Sequence, residues 1–251
     1  MTEPFDFSRS RIDDHAEKVG IDIRPVVEIK LDRDKLYRFG ADLIDMYPNL
    51  FESQVQSPTD YRITKRFIFP GKGEAEIPTL GFTPRGLVFT FPRRIAALGE
   101  ELELGQLDDV IIDCLKKFRA TFPGKKIIKV GLVNEYIFFT ADLDSARLIC
   151  ERFTKLPPPV GGEIKLRINL RIDDFNRIIE LEAVRKLEQI PEIPGQIQAA
   201  GHGVKVRVDF NNIDMSKDLD DGAILRTLHE GRSFNSRDLY GFLNGPSGGE
   251  Q

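Results

Sequence analysis

From Glu163 to Asp173 the chain alternates without a fault. Ile164, Leu166, Ile168, Leu170 and Ile172 are separated by Lys165, Arg167, Asn169 and Arg171. A period of two over this whole run predicts a strand with one buried face and one wet face. Such a strand needs antiparallel neighbours beside it and a layer of other elements over its apolar side.

The neighbouring sequence supplies candidates. Val204, Val206, Val208 and Phe210 alternate in the same way. Arg177–Leu187 fits a strand through Ile179, Leu181 and Ala183, or a helix through Ile178, Leu181 and Val184. The strand is preferred, because Asp174–Asn176 offers a short turn back to the first run. Residues 188–203 read as a Pro/Gly-rich excursion, and Lys126–Thr140 as a long strand bent at Gly131 or Asn134.

Earlier in the chain Arg24–Leu31 reads as a strand. Asp32 then caps a helix carrying Leu36, Phe39, Leu43 and Tyr47 on one face, ended by Pro48. Strands follow at Glu52–Gln56, Tyr61–Phe69, Glu74–Phe82 and Gly86–Phe91, with Pro70-Gly71 placed for a hairpin. Leu107, Val110, Ile111, Cys114, Leu115 and Phe118 hold the helical period closely. Asp142 or Asp144 caps a third helix through Phe153, and residues 156–162 (LPPPVGG) form a stiff connection. Two helices, around Leu219–Glu230 and Ser236–Leu243, close the chain.

The fold class that follows is α+β: a mostly antiparallel sheet with helices packed on one face, in two halves that each approximate β-α-β-β-β-α. The expected organisation is a flexible arm over 1–21, a first half over 22–122, a second over 123–244 and a flexible tail over 245–251. Ile29-Lys30-Leu31-Asp32 and Ala141-Asp142-Leu143-Asp144, each before a helix, echo one another.

Composition narrows the function classes. Hydrophobic residues at 41% and charged residues at 30% belong to a globular chain. No apolar run approaches the roughly 20 residues of a membrane helix. The start, MTEPFDFSRS, is acidic and lacks the apolar core of a secretory signal, so the expected location is cytoplasmic. The two cysteines, Cys114 and Cys150, sit at apolar helix positions and read as buried reduced thiols.

Catalytic patterns are missing. There is no phosphate-binding P-loop, dinucleotide fingerprint, HExxH or G-x-S-x-G. Three histidines are scattered: His15 in the polar arm, His229 in a helix, and His202 between two glycines at the mouth of a strand, a candidate binding loop. Lys72 between glycines reads as a hairpin residue. The pairs Asp108-Asp109, Asp173-Asp174 and Asp220-Asp221 read as helix-start and turn residues. Asp209, Asn211, Asn212 and Asp214 lack the spacing of a calcium loop. Neither a metal nor a cofactor is expected.

Two basic groupings remain. One is the sequence cluster Lys116, Lys117, Arg119, Lys125, Lys126 and Lys129. The other is the wet face of two strands: Lys165, Arg167 and Arg171 with Lys205 and Arg207, a candidate anion-binding face. Acids and bases balance over 163–210, however, and the whole chain carries a net charge of −4.

Pro25-Val-Val-Glu28, VGLVNEY at 130–136, VRVDFNNID at 206–214 and Leu228-His229-Glu230 together resemble a family of sporadically distributed bacterial proteins of about this length and of unknown function. The resemblance spans roughly residues 24–243. It implies a bacterial cytoplasmic protein and brings no catalytic residue.

These readings lean away from catalysis. The expected function is a binding or assembly protein with a protein partner or a second copy. The alternatives are a nucleic-acid module using the basic sheet face, which the charge balance disfavours, and an enzyme with an unrecognised carboxylate site.

Overall fold

The computed structural model describes residues 5–9, 11–14, 17–57, 60–69, 73–83, 85–91, 104–141, 143–155, 157, 163–189 and 197–245. The strands are β1 (Arg11–Asp14), β2 (Glu17–Arg24), β3 (Ser53–Gln56), β4 (Tyr61–Phe69), β5 (Gly73–Phe82), β6 (Gly86–Phe91), β7 (Lys126–Ala141), β8 (Lys165–Ile172), β9 (Phe175–Gln189) and β10 (Ile197–Asn212). The helices are α1 (Arg33–Met46), α2 (Leu104–Thr121), α3 (Ser145–Phe153), α4 (Asp221–Ser233) and α5 (Leu239–Asn244); a π-helical segment, Phe234–Asp238, joins the last two.

The strands form one sheet in the order β3-β4-β5-β6-β2-β7-β10-β9-β8, with β1 also paired to β7. Its described pairings are antiparallel. The fold is the expected α+β type. In each half a first strand, then a helix, leads into a meander whose last strand returns beside the first: β2 beside β6, and β7 beside β10. The meander has four strands in the first half and three in the second. The first strands of the halves pair with each other, so the sheet is continuous.

One-sided burial explains the layers. Val19, Ile21 and Ile23 of β2 are buried, whereas Lys18, Gly20, Asp22 and Arg24 point to the opposite face. The same alternation buries Leu87, Phe89 and Phe91 of β6 and Val204, Val206, Val208 and Phe210 of β10. Leu36, Phe39 and Leu43 of α1 and Ile111, Leu115 and Phe118 of α2 cover the first half. Leu148 and Ile149 of α3 and Leu239 and Leu243 of α5 cover the second. Aromatic rings interlock edge-on in the first core, as in Phe39 against Phe82 and Phe118. On β8 the register is as expected: Leu166 and Leu170 pack on the core, and Arg167 faces away at 62% side-chain exposure.

Several expectations need correcting. Residues 17–21 belong to no loose arm but to β2, near the middle of the sheet, and Phe7 is fully buried against Phe138. Strand β2 is stabilised by neighbours on both edges, a tertiary effect that three alternating aliphatics do not announce. The expected strand at Arg24–Leu31 ends where it was to begin: Pro25 has no N–H for a ladder, and 25–32 carries the chain into α1 with Leu31 79% exposed. Much of the 188–203 excursion extends β9 and β10; 190–196 lie outside the described residues. So do the Pro70-Gly71 turn, His15, most of the LPPPVGG connection and all but Gly245 of the tail.

Asp144, not Asp142, caps α3: its carboxylate accepts from the N–H groups of Ala146 (2.8 Å) and Arg147 (3.1 Å). Cys114 and Cys150 are free and buried, and burial pushes the Cys114 thiol up. Thiol titration of the native protein should therefore register close to none of the two cysteines, and both should react after denaturation. Rapid labelling of the native state would contradict the helix packing.

Candidate functional site

Helices cover one face of the sheet, and the side chains of the other converge on a hollow of about 490 Å³. Gly20 of β2, Val88 of β6 and Val133 of β7 lie on its apolar side. Lys18, Glu135, Glu180, Lys205 and Arg207 are among its charged residues.

Sheet register creates the charged part. Arg167, Glu180, Arg207 and Glu135 lie on one transverse rung across β8, β9, β10 and β7; Lys165, Glu182 and Lys205 lie on the next. Arg167 approaches Glu180 at 3.4 Å, and Arg207 approaches Glu180 at 3.3 Å and Glu135 at 3.7 Å. Lys165 is 3.9 Å from both Glu180 and Glu182, and Lys205 is 3.5 Å from Glu135. The candidate anion-binding face is thus a ladder of alternating charge, and most of its charge is spent internally. Cross-strand pairs of opposite charge contribute roughly 0.2–1 kcal/mol each.

Arg171 stands four residues beyond Arg167 on β8, on a rung of different chemistry. From β8 to β4 this rung reads Arg171, Asn176, Asn211, Gly131, Gly20, Val88, Gly81 and Arg62. Asn176 Nδ2 donates to Asn211 Oδ1 (3.1 Å), and Asn211 Nδ2 donates to Asp209 (2.8 Å). A β-carbon built on Gly20 or Gly81 would meet no atom within 4 Å. Glycine inside a strand costs about 0.5–1 kcal/mol relative to alanine. At these two positions the backbone needs no glycine for space, so the trough leaves the main chain there open to close approach by something else, whereas Gly131 is buried and a β-carbon on it would fall 3.3 Å from the Asn211 side chain.

The sequence cluster at 116–129 is dispersed by the fold. Lys116 pairs with Asp113 at 3.1 Å, and Lys117 with Asp42 at 2.6 Å. Arg119 binds Asp221 and the Leu219 carbonyl, and Lys125 donates to the Val26 carbonyl at 2.6 Å. Lys126 begins β7, and Lys129 stands on the open sheet face opposite Asp22. The first four of these cations are paired within or between helices and loops, and the six form no common surface. His202 is not in a loop: it lies within β10, half-buried beside a register shift.

The Asn/Asp-rich segment is structural. Asn212 Oδ1 accepts from Val130 N–H (2.8 Å), and its Nδ2 donates to the carbonyls of Ile128 (3.2 Å) and Asp214 (2.7 Å). Asn212 thereby satisfies β7 backbone groups beside the bulge opposite Asp22 and Ile23.

A second constellation was not legible in the sequence. Arg232 of α4 binds both Asp108 oxygens of α2 (2.6 and 2.7 Å) and Glu17 of β2 (2.8 Å). His229 Nε2 lies 3.0 Å from Asp108. The side chains of Glu17 and Asp108 are 1% and 6% exposed, against 66% for His229. The guanidinium contacts end on these two carboxylates, which makes the group a cross-link of three elements. Asp108 is more than the helix-start residue its sequence position suggests.

Among the described residues no group of three or more His, Cys, Asp or Glu converges as metal ligands would, and no helix is long and apolar enough to cross a membrane. No protein-family model matches this chain, and no curated protein is significantly similar to it.

Proposed function

We propose that this is a cytoplasmic, non-catalytic binding protein that holds a protein partner on the open face of its sheet. The observation that carries the reading is the transverse rung on which Gly20 and Gly81 lower the floor of an otherwise regular sheet. Both glycines are in open space. Val88 and Val133 give the floor apolar contact, and the ladder beside it provides a polar rim. The resemblance to sporadically distributed bacterial proteins agrees with this reading and adds no role for any residue.

Gly20→Val separates folding from binding. A β-branched residue suits a strand and removes glycine's unfolded-state freedom. Unfolding free energy should rise by about 0.5–1 kcal/mol, equivalent to about 1–4 °C in Tm for a chain of this size. A photo-reactive side chain placed at Thr90 on the open face should cross-link a discrete protein in cells, while one at Tyr37 on α1 should not. Adding Gly20→Val should remove the Thr90 product. A product that persists, or a Gly20→Val variant that loses stability, would count against the reading.

A further inference from the structure

The chemistry of the partner follows from the charge left over on this face, granted the protein-binding reading above. The ladder sets four cations, Lys165, Arg167, Lys205 and Arg207, against three carboxylates, Glu135, Glu180 and Glu182. Beside it stand Lys18, Lys129 and Arg171, which make no ion pair among the described residues. Asp22 and Asp209 are the acids near them, and Asp209 already accepts from Asn211. The open face therefore has surplus positive charge on a chain whose net charge is −4.

Position matters as much as sign. Lys18 is two residues from Gly20 along β2, and Lys129 is two residues from Gly131 along β7; Gly20 and Gly131 face each other. The two lysines thus stand on opposite sides of the trough. Arg171 closes one end of the rung and Arg62, paired with Asp60, the other. At about 4.8 Å per strand the rung is about 34 Å long, the span of about ten extended residues.

We infer that the trough takes an extended, carboxylate-rich polypeptide segment, its main chain over Gly20 and Gly81 and its carboxylates toward Lys18, Lys129 and Arg171. A second copy fits less well, because two such faces would bring like charges together. A single-stranded nucleic acid wants aromatic platforms, and among the described open-face positions Phe139 is the one aromatic residue.

The test is fluorescence anisotropy on the full chain with a fluorescein-labelled twelve-residue peptide of alternating Glu and Ala. A Lys/Ala peptide and a twelve-nucleotide oligo-dT of matched label serve as comparators, and light scattering follows the mass of the protein. The acidic peptide should bind saturably and more tightly than either comparator. The double substitution Lys18→Glu, Lys129→Glu should weaken it at least tenfold, and Gly20→Val should weaken it as much in a protein that is more stable. Equal binding of the Lys/Ala peptide, or indifference to these substitutions, overturns the inference. Tighter binding of oligo-dT replaces the peptide with nucleic acid. A dimer abolished by Gly20→Val replaces it with a second copy. If Thr90 still cross-links a protein while the acidic peptide fails to bind, this inference falls and the protein-binding reading stands.

Discussion

Replacing Arg232 by Met lowers the free energy of unfolding by about 3–5 kcal/mol, the cost of leaving buried carboxylates without their counter-ion. Glu17 and Asp108 are almost wholly removed from water, and Arg232 supplies the charge and most of the hydrogen bonds that make this tolerable. The guanidinium fork reaches both acids at once, so Arg232→Lys should also destabilise the protein, by a smaller amount. His229→Ala should cost no more than about 1 kcal/mol, since that ring is mostly in water. Urea unfolding at neutral pH measures all three. Replacing Glu17 by Gln and Asp108 by Asn in the Arg232→Met background should recover part of the loss, because neutral amides are cheaper to bury than carboxylates. An Arg232→Met protein within 1 kcal/mol of the parent would show that the cluster is hydrated, and that β2, α2 and α4 are joined by apolar packing alone.

Gly40→Ala should destabilise by about 2–4 kcal/mol, although alanine is the better helix former. The reason lies outside the helix. A β-carbon at Gly40 would fall 2.0 Å from Tyr61 Oη and 2.7 Å from the Gln54 side-chain amide. Tyr61 is fully buried, and its hydroxyl donates to the Leu36 carbonyl of α1 at 2.6 Å. Burial also pushes the ionisation of that hydroxyl up, so it remains a donor. The new methyl group must displace it, which combines overpacking with the loss of a buried hydrogen bond. Tyr61→Phe alone should cost about 1 kcal/mol. In that background Gly40→Ala should cost distinctly less than in the parent, and a double-mutant cycle by chemical denaturation gives the coupling. Strict additivity would mean that Tyr61 and Gly40 do not compete for the same space.

The sequence by itself determined the elements whose burial is one-sided and local. Strands β4 and β6 fall at the bounds their alternation predicts, and α2 follows from Leu107 to Phe118. The strand reading of Arg177–Leu187 holds because a two-residue turn at Asp173-Asp174 returns it antiparallel beside β8. Period two and period 3.6 are imprints of a single apolar environment, so they can be read without knowing what provides it.

Tertiary structure alone decided the rest. Val19, Ile21 and Ile23 alternate too briefly to stand out from the polar, mixed-charge run before them; β2 is a strand because β6 and β7 offer ladders on both its edges. The open face is of the same kind. Gly20, Gly81 and Gly131 are scattered in the chain and come onto one rung only through the pairing of four strands. The basic residues expected to form a cationic face are interleaved with Glu135 and Glu180, because β7 and β9 flank β10. Arg232 and Glu17, 215 positions apart, meet only when α4 packs over β7, the neighbour of β2. Register and helix placement are set by the fit of the whole core, and non-local juxtaposition leaves no periodic trace in a sequence.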